Sequence, residues 1–207
     1  MLDPPAAWAH TWLHRFSVRR RAAQAFADTW AAEVTLRRRH GFVVHYGLLE
    51  ATDEPKFTAL YSHADDAAGA TLATDPDWAA LTAARAPLAF RNVLIRPVRV
   101  EALPPVGTAP DRLAILRRYS IVGDWGEFLG IWRRIVPVRQ RHGFRLLFAV
   151  ADEPTSMFTW AFDFAGEWAD FAAAQRPYYA DPDRVALRGV IDYLADYSVA
   201  PARLLPA

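Results

Sequence analysis

The sequence predicts an α+β fold: a tandem duplication of a ferredoxin-like βαββαβ unit, whose two antiparallel sheets form an α+β barrel with the helices outside. Three observations carry this expectation. Sliding the chain by 102 residues superimposes Phe26, Trp30, Val34, Arg37, Arg39, His40, Gly41 and Phe42 on Phe128, Trp132, Val136, Arg139, Arg141, His142, Gly143 and Phe144. Eight identities in seventeen ungapped positions mark an internal repeat. Each copy then shows the same alternation of strand-like and helix-like apolar patterns, in the order βαββαβ. Between the copies, Pro104, Pro105 and Pro110 around Gly107 make a stiff joint. The organisation read from this is repeat 1 over 1–101, a Pro-rich linker over 102–111 and repeat 2 over 112–207.

The elements follow in order. In the second copy Leu113 to Ile121 is β-rich, and Asp124 with Glu127 three residues later reads as a capping box that starts a helix. Phe128, Ile131, Trp132, Ile135 and Val138 recur at spacings of three and four, one apolar stripe facing a sheet. Pro137 is expected to kink the last turn, and Gly143, after basic residues at the negative end of the helix dipole, to stop it. Copy one repeats this as one helix from Arg20 to His40, ended by Gly41. Two strands follow each glycine, Phe42 to Glu50 with Lys56 to His63 and Phe144 to Ala151 with Met157 to Phe164, joined by Asp-Glu-Pro turns into hairpins. Broken helical regions, Asp65 to Ala86 and Gly166 to Leu194, are each interrupted by Asp-Pro-Asp, where Asp caps and Pro opens the next helix. Last strands close the copies at Asn92 to Val100 and Asp196 to Leu204.

Composition narrows the function. With a formal charge of +1 and dispersed arginines, the chain lacks the electrostatic footprint of a nucleic-acid binder. No stretch is apolar for long enough to span a membrane, and Met1 to Trp12 has Asp3, two prolines and His10 where a signal peptide needs a basic start and an apolar run. A cytoplasmic protein is expected, and the arginine- and alanine-rich usage with Lys56 as the only lysine suggests a high-GC bacterial genome. The absence of cysteine removes disulfides, thiolate metal sites and a Cys nucleophile. The six histidines lack metal-site spacing, and neither a phosphate-cradling glycine loop nor a Gly-x-Ser-x-Gly elbow occurs. No metal or cofactor is expected, and the partner is a small-molecule substrate, with the chain a monomer closing its own barrel or a homodimer.

The strand start Arg117-x-Tyr119, the helix with Phe128 and Trp132, the exit Arg-x-Arg-His-Gly-Phe at 139–144 and the strand Phe158-Thr-Trp160-Ala-Phe162 resemble the NIPSNAP-like family of the dimeric α+β barrel superfamily. Copy one departs from the pattern, with His14-x-Phe16 and Ala59-x-Tyr61 at the matching places. The resemblance implies a superfamily of cofactor-independent oxygenases, polyketide cyclases, isomerases, haem enzymes like chlorite dismutase, and members with no known activity. Haem would need a mid-helix axial histidine, which neither copy offers.

Sites in such folds lie between a sheet and its helices, which selects polar groups on strands. In copy one His14, His45, Tyr61 and His63 lie on three strands and are candidates to move protons. Against this, His63 would end its strand in solvent, and His14 and His45 would bond to backbone or water. In copy two Arg117 would hold an anionic or enolate oxygen while Tyr119 donates a hydrogen bond. Asp163, between Phe162 and Phe164, is a catalytic acid or a structural ion pair with Arg117 or Arg118. Trp12, His63, Trp160, Tyr178 and Tyr179 make up the expected substrate-binding set, the two tyrosines as a lid. Aromatic walls from Trp12, Trp30, Trp132, Trp160 and Trp168 would suit a flat molecule, with Trp30 and Trp132 read as core. His40 and His142 are read as helix-end residues at the dipole rather than catalysts. One reading is a cofactor-independent cyclase, isomerase or monooxygenase acting on an aromatic or polyketide-like metabolite. The other is a non-catalytic ligand-binding or assembly protein.

Overall fold

The computed structural model describes residues 10–65, 67–104 and 112–206, without the side chains of 91–93. Most of the Pro-rich linker, 105–111, lies outside the described residues. The chain divides into two compact units, one of residues 1–98 with 203–207 and one of residues 99–202.

In the first unit β1 (His10–Val18), β2 (Val43–Glu50), β3 (Lys56–His63) and β4 (Ala89–Pro97) form an antiparallel sheet in the order β4-β1-β3-β2. In the second, β6 (Leu113–Ile121), β7 (Arg145–Asp152), β8 (Met157–Phe164) and β9 (Leu194–Leu205) repeat it as β9-β6-β8-β7, with the short β5 (Arg99–Ala102) against β7. This is the ferredoxin-like order twice over, so the predicted α+β class holds. A bulge recurs at equivalent places, between Val44 and Tyr46 in β2 and between Leu146 and Phe148 in β7. The duplication therefore extends to an irregularity that no apolar pattern reveals.

The helices of each unit cover one face of its sheet. α5 (Trp125–Arg141) starts where Asp124 Oδ1 accepts the Glu127 amide at 2.8 Å and stops before Gly143, whose φ of 82° favours glycine. It runs on through Pro137. Only half of the predicted capping box forms, because the Glu127 carboxylate accepts from Tyr193 Oη at 2.7 Å instead. In the first unit the single predicted helix is broken into a 3-10 turn at Arg20–Ala22, α1 (Ala23–Asp28) and α2 (Trp30–Arg39). The reason is local: no side chain caps the start, and Thr29 Oγ1 bonds back to the Phe26 carbonyl at 2.6 Å, competing with the helical ladder.

The broken regions become α3 (Ala67–Ala73) and α4 (Pro76–Arg85) in unit one, and α6 (Trp168–Ala180) and α7 (Pro182–Ala186) in unit two. Asp75 and Asp181 cap α4 and α7 through the Asp77 and Asp183 amides, as their Asp-Pro-Asp motifs predict. Each cap also receives the histidine from the preceding helix exit, His40 Nε2 at 2.6 Å and His142 Nε2 at 2.9 Å. The paired histidines thus clamp one helix end to the next helix start, a role more specific than proximity to a dipole.

The cores follow from the apolar stripes. Trp30 packs on Phe57 at 5.1 Å, and Trp132 on Phe158 at 5.0 Å and Trp160 at 5.8 Å, both tryptophans buried as expected. Gly47 is required under Trp30, since an added Cβ would lie 2.6 Å from the indole. In the second copy a buried Ala149 stands at the matching place.

Candidate functional site

Each unit holds a cavity between its first strand, its last strand and its covering helices. In unit one an open cleft of about 360 Å3 is lined by Trp12 and His14 of β1, Tyr61 and His63 of β3, Ile95 of β4, Arg37, Phe42, Trp78 and residues of α3. In unit two an open cleft of about 470 Å3 is lined by Arg117 of β6, Tyr197 and Val199 of β9, and Trp168, Phe171, Ala172, Gln175 and Tyr179 of α6. The places correspond, because His14 sits opposite Ile95 in register as Arg117 sits opposite Val199. The interiors are therefore not filled by aromatics alone.

Strand alternation decides which candidates reach these cavities. Trp12 faces Tyr61 across the β1–β3 pair and His10 faces His63, so Trp12, His14, Tyr61 and His63 share the helix-covered face. His45 does not join them. It occupies the β2 bulge, and its Nε2 lies 2.8 Å from Ser62 Oγ, on the opposite face, where Ser62 also meets Thr11 Oγ1 at 2.7 Å. His63 does not end in solvent either: it is 3% exposed and accepts the Trp12 indole N–H at 3.0 Å on Nε2.

In unit two Arg117 stands opposite Trp160, but Asp163 stands opposite Ala114 and projects from the other face. Its partners are Arg112, with Nε 2.8 Å from Oδ1, and Arg145, with Nη2 2.5 Å from Oδ2. The expected pairing with Arg117 or Arg118 is thus replaced, and Asp163 is fully engaged in a structural ion pair. Trp160 and Tyr178 lie in the core, 2% and 1% exposed, rather than against the open cavity. Tyr178 accepts from Arg184 Nε at 2.8 Å, and Tyr179 alone of that pair lines the space, from the last turn of α6 instead of a loop. Of the five tryptophans expected as walls, Trp12 and Trp168 line cavities, and Trp78 adds itself.

The charges differ sharply between the units. Arg37, one turn after Glu33 on α2, has Nε 2.7 Å from Glu33 Oε1, while Arg85 binds the other carboxylate oxygen. Burial raises the Glu33 carboxyl pKa, but the two guanidinium groups outweigh it and leave the net pKa below its ordinary value. In the second copy the position of Glu33 is Ile135, and the buried Arg139 has no carboxylate within ion-pair distance among the described residues. Arg139 lies over the Tyr178 ring at 4.1 Å and the Phe162 ring at 4.3 Å, and its Nε and Nη1 lack any acceptor. Arg117 likewise has no carboxylate within ion-pair distance among the described residues; it donates from Nη1 to Tyr119 Oη at 3.0 Å and from Nη2 to Tyr179 Oη at 3.4 Å, and its buried Nε has no partner among them. Burial, then the like charge of Arg117, lowers the Arg139 pKa below its ordinary value. Both guanidiniums stay charged. Burial pushes the Tyr179 phenol up, but the Arg117 charge and hydrogen bond, joined by Arg139, outweigh it and set the phenol below its ordinary pKa.

No family model and no curated protein matches the sequence. The fold is shared by solved proteins. A candidate monooxygenase from Fusobacterium nucleatum superposes with a TM-score of 0.71 at 11% identity over 95% of this chain and 92% of its own. An anthrone oxidase-like protein superposes at 0.62 with 13% identity over 97% and 93%. A NIPSNAP domain protein from Burkholderia xenovorans aligns at 22% identity over 46% of this chain and 94% of its own, with a TM-score of 0.39, so NIPSNAP domain proteins are among the structural neighbours. At these identities the likeness shows the fold.

Sequence reasoning missed Glu33, Arg37, Trp78, Arg139 and Gln175. The signal for Arg139 was present: Phe128, Trp132, Ile135 and Arg139 continue one stripe at spacings of four, three and four, which puts the charge on the buried face. Haem finds no axial imidazole in the second cavity, whose lining contains no histidine. Among the described residues no helix is long and apolar enough to cross a membrane.

In unit one, burial holds the His14 imidazole down at about 4, the Glu33 charge opposing and the Arg37 and Arg85 charges assisting. Burial lowers His45 to about 4 as well. The unfolded chain therefore takes up these protons first, so the stability they contribute is complete above about pH 6.5 and is lost as pH falls toward 4. For His14 the full shift corresponds to about 3 kcal/mol at ~1.4 kcal/mol per pKa unit. Urea denaturation at pH 7 and pH 4.5 should show wild type losing more stability than His14→Phe; parallel losses would contradict the burial of His14.

Proposed function

We propose that the chain is a small-molecule enzyme that binds an aromatic or polyketide-like substrate in the cavity of the second unit, as an enolate, phenolate or carboxylate anion. The carrying observation is a pair of guanidinium groups, Arg117 in the cavity lining and the buried Arg139 close enough for its charge to act on Arg117 and Tyr179, neither with a carboxylate within ion-pair distance among the described residues. Burying unpaired charge is unfavourable, and an anionic ligand supplies the missing partner. Trp168, Phe171 and Tyr179 offer flat apolar walls that suit a planar ring. Arg117 holds the anionic oxygen and stabilises it as charge develops. Tyr179, its hydroxyl bonded to Arg117, is the group suited to exchange the proton.

An anion formed by loss of a proton is common to cyclisation, isomerisation and cofactor-independent monooxygenation, and the reaction belongs to this set. The neighbours named as a candidate monooxygenase and as anthrone oxidase-like support oxidation by fold-level analogy alone. The imidazoles of the first unit are weaker candidates than the sequence suggests, because at a pKa of about 4 His14 is a poor base near neutrality.

Calorimetric titration with 2-naphthoate tests the ligand class. Arg117→Gln should weaken binding about 30- to 150-fold, the equivalent of ~2 to 3 kcal/mol for a charge-assisted hydrogen bond. Affinity unchanged in Arg117→Gln would overturn the assignment. Binding without turnover of enolisable aromatic ketones, with or without dioxygen, would instead support the ligand-binding alternative.

A further inference from the structure

The exchange of Glu33 for Ile135 leaves the two cavities chemically distinct. In unit one the lining cation, Arg37, already has its counter-charge: Glu33 lies 2.7 Å from its Nε, and its guanidinium rests 3.7 Å over the Tyr61 ring. An incoming anion would compete with that buried carboxylate. His14 is uncharged at neutral pH.

The polar groups left over are nitrogen atoms of a particular kind. Because His63 Nε2 accepts the Trp12 N–H, the neutral ring carries its own hydrogen on Nδ1. That Nδ1 is buried without a partner, as is Nδ1 of His14, and both residues line the cavity. A buried donor without an acceptor is an unfavourable state that a ligand oxygen would relieve. Around them Trp12, Phe42 and Trp78 provide ring faces and edges, and Gly69, Ala70 and Ala73 keep the wall of α3 thin enough to leave about 360 Å3 open. That volume lies within the range of small-molecule sites.

We propose that the first unit carries a second small-molecule site, in the cavity between Trp12, His14, Tyr61 and His63, and that its ligand is an uncharged flat molecule bearing a hydrogen-bond acceptor such as a ketone oxygen. It is independent of the anion site, and the two units of one chain sort ligands by charge.

The test uses the full chain and two probes of similar shape, 2-acetylnaphthalene, which is neutral, and 2-naphthoate, which is an anion. Tryptophan fluorescence should report one saturable 2-acetylnaphthalene site in wild type, held within twofold in Arg117→Gln. Affinity should fall at least tenfold in His63→Phe, which keeps a ring but removes the N–H. It should fall at least tenfold also in Ala73→Phe, which places a ring in the cavity from an exposed helical position and guards against a folding defect in the first variant. 2-Naphthoate affinity should be unchanged in Ala73→Phe, so the anion reading stands or falls separately. Neutral-probe binding lost in Arg117→Gln but kept in Ala73→Phe, or no saturable binding up to the solubility limit, would overturn the site. Loss in Ala73→Phe with none in His63→Phe would overturn the acceptor-bearing ligand.

Discussion

Trp132→Ala is expected to destabilise the chain by about 3 to 5 kcal/mol, the usual cost of removing a large aromatic from a packed core. The indole is 2% exposed and meets Phe158 and Trp160 of β8 edge-on at ring separations of 5.0 and 5.8 Å, so truncation leaves a cavity that these strand neighbours cannot close. Urea denaturation measures the loss. A value below about 1 kcal/mol would mean that the α5 stripe does not anchor the second unit, and would undermine the equivalence with Trp30.

Opposite signs are expected for the same substitution at the two matched arginines. Arg37→Met removes one of two cations from a fully buried Glu33 and should cost about 3 kcal/mol, because breaking a buried pair strands the remaining charge. Arg139→Met removes a buried cation that has no carboxylate partner among the described residues, and in the absence of ligand it should raise stability by about 1 to 2 kcal/mol. Methionine is long enough to keep the stacking against Tyr178 and Phe162. If Arg139 were purely structural, its replacement would destabilise the chain as Arg37→Met does. A charge retained at a cost to stability is the signature of a group kept for binding.

The strands show what a sequence can reveal. Leu113–Ile121, Lys56–His63 and Met157–Phe164 occur at the bounds their patterns predict, because alternating apolar residues and Asp-Glu-Pro turns leave few alternatives. His45 was misplaced although it follows Val44, which pairs with Tyr61 on the helix-covered face, so alternation alone turns His45 to the other side; the bulge then sets Tyr46 on that other side too, which nothing in Val-Val-His-Tyr announces. Asp163 was placed near Arg117 by proximity along neighbouring strands, although pairing parity already set them on opposite faces. Arg139 was legible as a matched residue but was attributed to the helix end. Only the loss of its acidic partner, Glu33 becoming Ile135, distinguishes it from Arg37, and that difference acquires meaning once both are seen to be buried.

The central claim is that the second unit binds an anion at Arg117, and a crystal of the chain soaked with 2-naphthoate tests it most directly. The account predicts a carboxylate oxygen within hydrogen-bonding distance of the Arg117 guanidinium and the ring system against Trp168 and Tyr179. Naphthoate bound instead beside His14 and His63, or a second cavity left empty at concentrations that saturate binding in solution, would contradict it.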